Sequence, residues 1–152
     1  MEIFIIILGI ILDRITKLWA LNVLKPDNDI IVIKDYFQLA YLENRGAAFG
    51  IFQNKVIFLS LFTVILIIGL IVYLYKNRRK SRLLSVSLSL IIAGALGNFY
   101  DRIIYKYVVD FICFHYKTDY YFPTFNVADV FVVCGTILLA IYILRMESDG
   151  EL

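Results

Sequence analysis

Apolar residues run in long, almost uninterrupted stretches along this chain, separated by two polar and aromatic segments. Residues 56–75 contain no charge and supply the roughly 20 apolar positions that a membrane-spanning helix needs. Residues 83–100 and 127–144 are slightly shorter, and the second carries one charge, Asp129, near its start. Residues 3–24 are apolar except for Asp13, Arg14, Thr16, Lys17 and Asn22. This stretch spans a membrane only if those groups face protein or water. The pattern predicts a membrane all-α core of four transmembrane helices, at about 3–24, 56–75, 83–100 and 127–144, in a single domain covering 1–152.

The segments between the spans have a different texture. Ile30-Ile31-Val32-Ile33 and the stretch from Tyr36 to Leu42 are rich in β-branched and aromatic residues, behind the turn-formers Pro26, Asp27, Asn28 and Asp29. They predict a small strand-rich platform at the membrane surface. In the second segment eight Tyr and Phe residues lie between Tyr105 and Phe122, as expected of amphipathic rings that anchor at headgroup level. Lys76, Arg78, Arg79, Lys80 and Arg82 crowd the short loop between the second and third spans. Such loops favour the cytoplasm, which puts both termini there and both aromatic segments outside.

Composition agrees with the pattern. Hydrophobic residues make up 61% of the 152-residue chain, against roughly 45–50% in soluble domains, and the mean hydropathy is +0.80. A domain of this size cannot hide so much apolar surface in its own core, so the surplus must face membrane lipid. Residues 3–12 resemble a signal-peptide core but lack a basic flank and a small-residue cleavage site, so they are expected to be retained. The net charge of +2 and the concentration of basic residues in one loop argue against a nucleic-acid partner. Cys113 and Cys134 have no CxxC spacing and read as unpaired apolar fillers. His115 is the sole histidine, which argues against a metal site and against a Ser-His or Cys-His arrangement; no cofactor is expected.

The remaining polar residues fall into spaced sets. Asp13 and Lys17 share one helix face, as do Asn98 and Arg102; Asn126 and Asp129 are three apart at the start of the fourth span. Polar groups are costly in lipid, so these faces should meet in one patch towards the outer side. Asp110 is flanked by Val109 and Phe111, a setting that should raise its pKa. Were Asp110 and Asp129 to approach closely, they would share one proton and could act as general acid and base on a water molecule. Simpler roles compete: a helix cap or ion pair for Asp129, a structural pairing with Lys17 or Arg102 for Asp13, and a surface pair or water contact for Asp101. The GxxxG match at 46–50 lies outside the spans, so Ala93 and Gly97 are better candidates for close helix contact.

Asp13-Arg14-Ile15-Thr16-Lys17, Asn44-Arg45-Gly46-Ala47-Ala48-Phe49-Gly50, the run from Gly94 to Arg102, Val108-Val109-Asp110-Phe111 and Phe125-Asn126-Val127-Ala128-Asp129 together resemble the lipoprotein signal peptidases, or signal peptidase II. The resemblance runs in order from the first helix to the fourth. It implies an aspartic endopeptidase of the bacterial plasma membrane that cuts prolipoproteins before their diacylglyceryl-modified cysteine, with membrane lipids as its other partners and a monomeric state expected. It also implies a four-helix fold with an extracytoplasmic β-cradle and a short outer helix. By motif, Asp110 and Asp129 match the catalytic pair, and Asp13, Lys17, Asn44, Arg45, Gly46, Asn98, Arg102 and Asn126 match supporting positions. Two rivals remain: a small proton or ion transporter, since intramembrane acids also mark proton relays, and a non-catalytic membrane scaffold.

Overall fold

A computed structural model describes residues 1–25, 29–46 and 55–148 of the protein. Four long helices appear where the apolar runs predict them: α1 (Glu2–Val23), α2 (Val56–Asn77), α3 (Arg82–Ile104) and α4 (Val127–Ser148). Three of them, α2, α3 and α4, are long and apolar enough to cross a membrane. The α1 helix has the length, but Asp13, Arg14 and Lys17 interrupt its apolar run.

The α3 helix is the axis of the bundle, with α1, α2 and α4 each packed against it. Its sequence explains the position. Small residues, Ser85, Ser87, Ser89, Ala93, Gly94 and Gly97, alternate with Leu and Ile, so neighbouring backbones approach closely. The three buried serine hydroxyls donate to the carbonyls of Arg78, Leu84 and Ser85, which leaves none of them unsatisfied in an apolar setting. Ser81 caps the first turn by accepting from the Leu83 N–H at 3.2 Å. As the sequence predicts, Ala93 and Gly97 sit at close crossings: Ala93 faces Gly9 of α1, and Gly97 faces the Asp13 carboxylate and Ala128. The outward faces of α1, α2 and α4 are lined by exposed Ile, Leu, Val and Phe, an apolar surface of the kind a membrane-spanning helix presents.

At one end of the bundle lies an antiparallel sheet ordered β1 (Ile30–Ile33), β2 (Phe37–Asn44), β3 (Val108–Tyr116) and β4 (Tyr120–Tyr121). Phe37 stands opposite Phe114 with their rings stacked at 4.7 Å, a cross-strand contact that holds the β2–β3 register. Val109 and Phe111 of β3 pack on Ala20 and Leu24 at the end of α1.

The structure alters several expectations. The second aromatic segment is largely strand, not just a surface anchor: Val108 to Phe111 are buried, and only the later rings, such as Tyr116 and Tyr120, are exposed. The third span continues as helix to Ile104, because Asp101 and Arg102 find partners inside the protein. Cys113 is a buried free thiol as expected, whereas Cys134 is free but exposed on α4. No separate outer helix occurs among the described residues; the turn-formers Pro26, Asp27 and Asn28 and residues 47–50 of the GxxxG match lie outside them.

A methyl group at Gly94 would collide with the Ala128 backbone oxygen and lie 2.8 Å from Val132 Cγ2. Backbone cannot yield as a side chain can. Gly94→Ala should therefore destabilise the α3–α4 contact by about 1–3 kcal/mol, read as a lowered unfolding midpoint of the purified protein in detergent.

Candidate active site

Three structural junctions bring the polar residues together where the sheet meets the helices. The first is the β2–β3 pairing, which sets Leu42 opposite Asp110 and Asn44 opposite Val108. Side chains alternate along strands, so Leu42, Asn44, Val108 and Asp110 share one face. Asn44 then reaches diagonally and donates to Asp110 Oδ2 at 2.9 Å. The second junction is the bridge between Ile112 and Phe125, which ties the chain entering α4 to β3. The third is the start of α4. Here the Asn126 side chain accepts from the Asp129 N–H at 3.0 Å, and Asp129 Oδ2 accepts from the Asn126 N–H at 3.1 Å. This reciprocal pair is a capping box.

Asn126 also joins the two carboxylates. Its Nδ2 donates to Asp110 Oδ1 at 2.6 Å, while its backbone N–H holds Asp129. Asn98 on α3 completes the ring, donating to Asp129 Oδ1 at 2.7 Å and accepting from Asn126 Nδ2 at 3.1 Å. Asp110 and Asp129 therefore stand in the wall of one cavity of about 640 Å³, with Asn44, Asn98, Arg102 and Phe125. Its polar lining comes from β2, β3, α3 and the start of α4, and Val130, Val133 and Cys134 of α4 add an apolar wall.

The electrostatics of Asp110 follow from this placement. The residue is 1% exposed. Burial pushes its carboxyl up and the charge of Asp129 adds to the effect; the amides of Asn44 and Asn126 oppose them, and the result is about 7. The cap role considered for Asp129 is realised in the same side chain that faces the cavity, so the two readings coexist.

A second cluster lies directly behind the first. Lys17, fully buried, places Nζ 3.0 Å from Asp13 Oδ2, 3.0 Å from Asp101 Oδ2 and 2.8 Å from Asn98 Oδ1. Its three protons have three acceptors. Asp13 Oδ1 in turn accepts from the Ala128 N–H at 3.1 Å, securing the first turn of α4 to α1. Asp101 accepts from Arg14 at 2.6 Å and from the Val109 N–H at 3.1 Å, securing the strand that carries Asp110. Arg14 packs over the rings of Tyr100 and Tyr105. Two carboxylates and two cations make the cluster neutral.

Most of the residues singled out in the sequence meet here, with differences. Asp13 pairs with Lys17 and not with Arg102, whose guanidinium instead donates to the Gly46 carbonyl at 3.3 Å. Gly46 also donates its N–H to Asn44 Oδ1 at 2.9 Å. Arg45, just past the end of β2, is not drawn in: it is exposed and pairs with Glu43. Asp101 is the clearest correction, being fully buried and doubly paired, not at the surface. Its spacing of three from Asn98 on one helix face was the signal that could have found it. Arg14, placed only within a motif, is its partner. His115 stacks on Tyr121, among the strand aromatics.

Removing Asp101 would leave two cations facing each other in a buried site. Asp101→Ala should lower unfolding stability by about 3–5 kcal/mol. Arg45→Ala, which breaks an exposed pair, should change it by less than about 0.5 kcal/mol. Parallel thermal or denaturant unfolding of the two variants checks both values.

Known proteins share this sequence pattern and fold. A sequence profile described as signal peptidase (SPase) II matches residues 5–145. The chain is 61% identical over 145 residues to a lipoprotein signal peptidase of Clostridium novyi, covering 95% of this chain and 98% of that one. It is 59% identical to the lipoprotein signal peptidase of Clostridium tetani, covering 99% and 95%, and 36% identical to that of Pseudomonas syringae, covering 95% and 86%. It also superposes on a bacterial membrane enzyme solved by the in meso method at 2.3 Å, with TM-score 0.88 and 35% identity, over 97% of this chain and 90% of that one. With the match running through all four helices and the sheet, the chain belongs to the signal peptidase II family.

Proposed function

We propose that this protein is an aspartic endopeptidase that removes signal peptides from bacterial prolipoproteins by cutting before the diacylglyceryl-modified cysteine, with Asp110 and Asp129 as its catalytic pair. The observation that carries the reading is the shared cavity wall: two carboxylates joined through Asn126, at the point where an apolar wall along α4 meets a polar lining. A lipidated substrate has the same division, with acyl chains that belong in lipid and a peptide that needs hydrogen bonds. The relatives are peptidases by name, and none of those described above supports the transport reading.

In the proposed mechanism a water molecule between the carboxyls attacks the scissile carbonyl. A bond forms from water oxygen to carbonyl carbon while one water proton passes to Asp129, and Asp110 donates its proton to the carbonyl oxygen. As the tetrahedral adduct collapses, one hydroxyl proton returns to Asp110 and the carbonyl re-forms, the C–N bond breaks, and the proton held by Asp129 passes to the departing amine. Asn44, Asn98 and Asn126 orient the pair. Arg102, bonded to the Gly46 carbonyl, lies in the cavity wall within reach of the peptide. Asp13 and Lys17 support the site from behind.

We place the protein in the bacterial plasma membrane as one domain over residues 1–152 and as a monomer. All four helices span, the termini and the basic 76–82 loop are cytoplasmic, and the β-cradle, a short outer helix and the catalytic pair face outwards. The loop charges support this orientation. The polar cluster in α1 supports its span, since Asp13, Arg14 and Lys17 are all paired inside the protein.

Purified protein should cleave a diacylglyceryl-modified prolipoprotein and leave its unlipidated counterpart intact; cleavage of neither would remove the assignment. Asp110→Asn and Asp129→Asn should each lower kcat at least about 100-fold while the protein stays folded. A scaffold reading instead expects both variants to work normally. Because Asp110 must carry a proton to act as the acid, activity should be present below about pH 7 and decline as pH rises through that value. A rate unchanged from pH 6 to 9 would exclude Asp110 as that acid.

A further inference from the structure

Each of the three carboxamides around the aspartates has a neighbour that can only donate a hydrogen bond. The Gly46 N–H faces Asn44 Oδ1, which turns Asn44 Nδ2 to Asp110. The Asp129 N–H faces Asn126 Oδ1, which turns Asn126 Nδ2 to Asp110 and Asn98. The Lys17 ammonium faces Asn98 Oδ1 at 2.8 Å, which turns Asn98 Nδ2 to Asp129 Oδ1 at 2.7 Å. An ammonium has three donors and no lone pair, so the Asn98 amide cannot be reversed while Lys17 is in place. If it were reversed, its oxygen would face Asp129, a contact that is favourable only when that carboxyl carries a proton. Two of the three orienting groups are backbone. Asn98 Oδ1 is held by two side-chain donors, Asn126 Nδ2 at 3.1 Å and the shorter, charged contact from Lys17.

We propose that Lys17, which bonds to neither aspartate, is a positioning residue of the reaction: through Asn98 it presents an N–H to Asp129 and so holds Asp129 as the proton acceptor, leaving the pair's proton on Asp110. The proposal rests on the catalytic pair assigned above and adds to it a group outside the cavity that sets where the proton lies. Other features agree. Asp129 occupies the first turn of a 22-residue helix, where the helix dipole favours an anion. Asp110 sits in a strand without that help. The charged groups acting on the pair are Arg102 from α3, Lys17 from α1 and the two aspartates themselves, while Asp101 acts on Arg102. Asp13 and Asp101 hold Lys17 in place, and Arg14, bonded to the other oxygen of Asp101, balances the cluster's charge, so the ammonium acts as a fixed donor and not as a mobile charge.

The test uses the full-length protein and a lipidated prolipoprotein substrate, with kcat and KM measured across pH and thermal unfolding measured in parallel. Asp13→Asn/Lys17→Met removes one charge of each sign and leaves the Arg14–Asp101 pair. It should fold, lose about 10- to 100-fold in kcat with KM changed less than about threefold, and shift its pH–rate profile to higher pH. The shift has this sign because the cation that opposed protonation of Asp110 is gone, so Asp110 keeps its proton to higher pH. Arg14→Met disturbs the same cluster without touching Asn98; it should lower the unfolding temperature and keep the wild-type profile. Asn98→Asp keeps the Lys17 contact but deprives Asp129 of its N–H, and should reproduce the kinetic signature even if the double variant fails to fold. A folded double variant with wild-type kcat and profile, an equal shift in Arg14→Met, or a wild-type profile in Asn98→Asp would overturn the proposal. Inactive Asp110→Asn and Asp129→Asn beside any of those results would leave the catalytic pair standing and remove only the role of Lys17.

Discussion

Lys17 carries an ammonium group into the interior of a helical bundle, and the structure around it follows from the need to satisfy that charge. A buried cation is tolerated only with close, well-directed partners. Here the partners are Asp13 from its own helix and Asp101 and Asn98 from α3. Each has a further engagement that extends the constraint outwards: Asp13 with the first turn of α4, Asp101 with the start of β3 and with Arg14, Asn98 with Asp129. One charge thus fixes the relative positions of three helices and a strand.

The cavity forms where these constraints end. Behind it the charges are paired and neutral, with Asp13, Lys17 and Asp101 buried. In front, Asp110 and Asp129 have one side bonded to amides and the other open to a pocket. Such a division suits hydrolysis. The buried cluster supplies rigidity at no net charge, and the pocket supplies a place where a proton can move. The sheet serves the same purpose from the other side, with stacked cross-strand rings holding the register that places Asn44 diagonally from Asp110.

Much of this was legible in the residues. Uninterrupted apolar runs give helices because lipid leaves no other way to satisfy the backbone, and the β-branched stretch at Ile30–Ile33 became a strand as its composition predicts. The spacing of Asn126 and Asp129 announced a helix start. The strand character of the second aromatic segment was less visible, because an aromatic-rich stretch is equally suited to anchoring at an interface. Asp101 was misplaced for a related reason. At the end of an apolar run a charge looks solvated, and only the arrival of Arg14 and Lys17 from a helix 87 and 84 positions away buries it.

The sequence by itself determined the helices, the membrane environment, the identity of the polar residues and, through their order, the family. Those properties depend on local pattern and composition. Only the tertiary structure decided that Asp13 pairs with Lys17 instead of Arg102, that Arg45 turns away, that Asp129 caps its helix while facing the cavity, and that the orientation of Asn98 is set from behind by an ammonium. Each of these depends on which donor lies within 3 Å of which acceptor across elements far apart in the chain, and that is set by packing, not by sequence spacing.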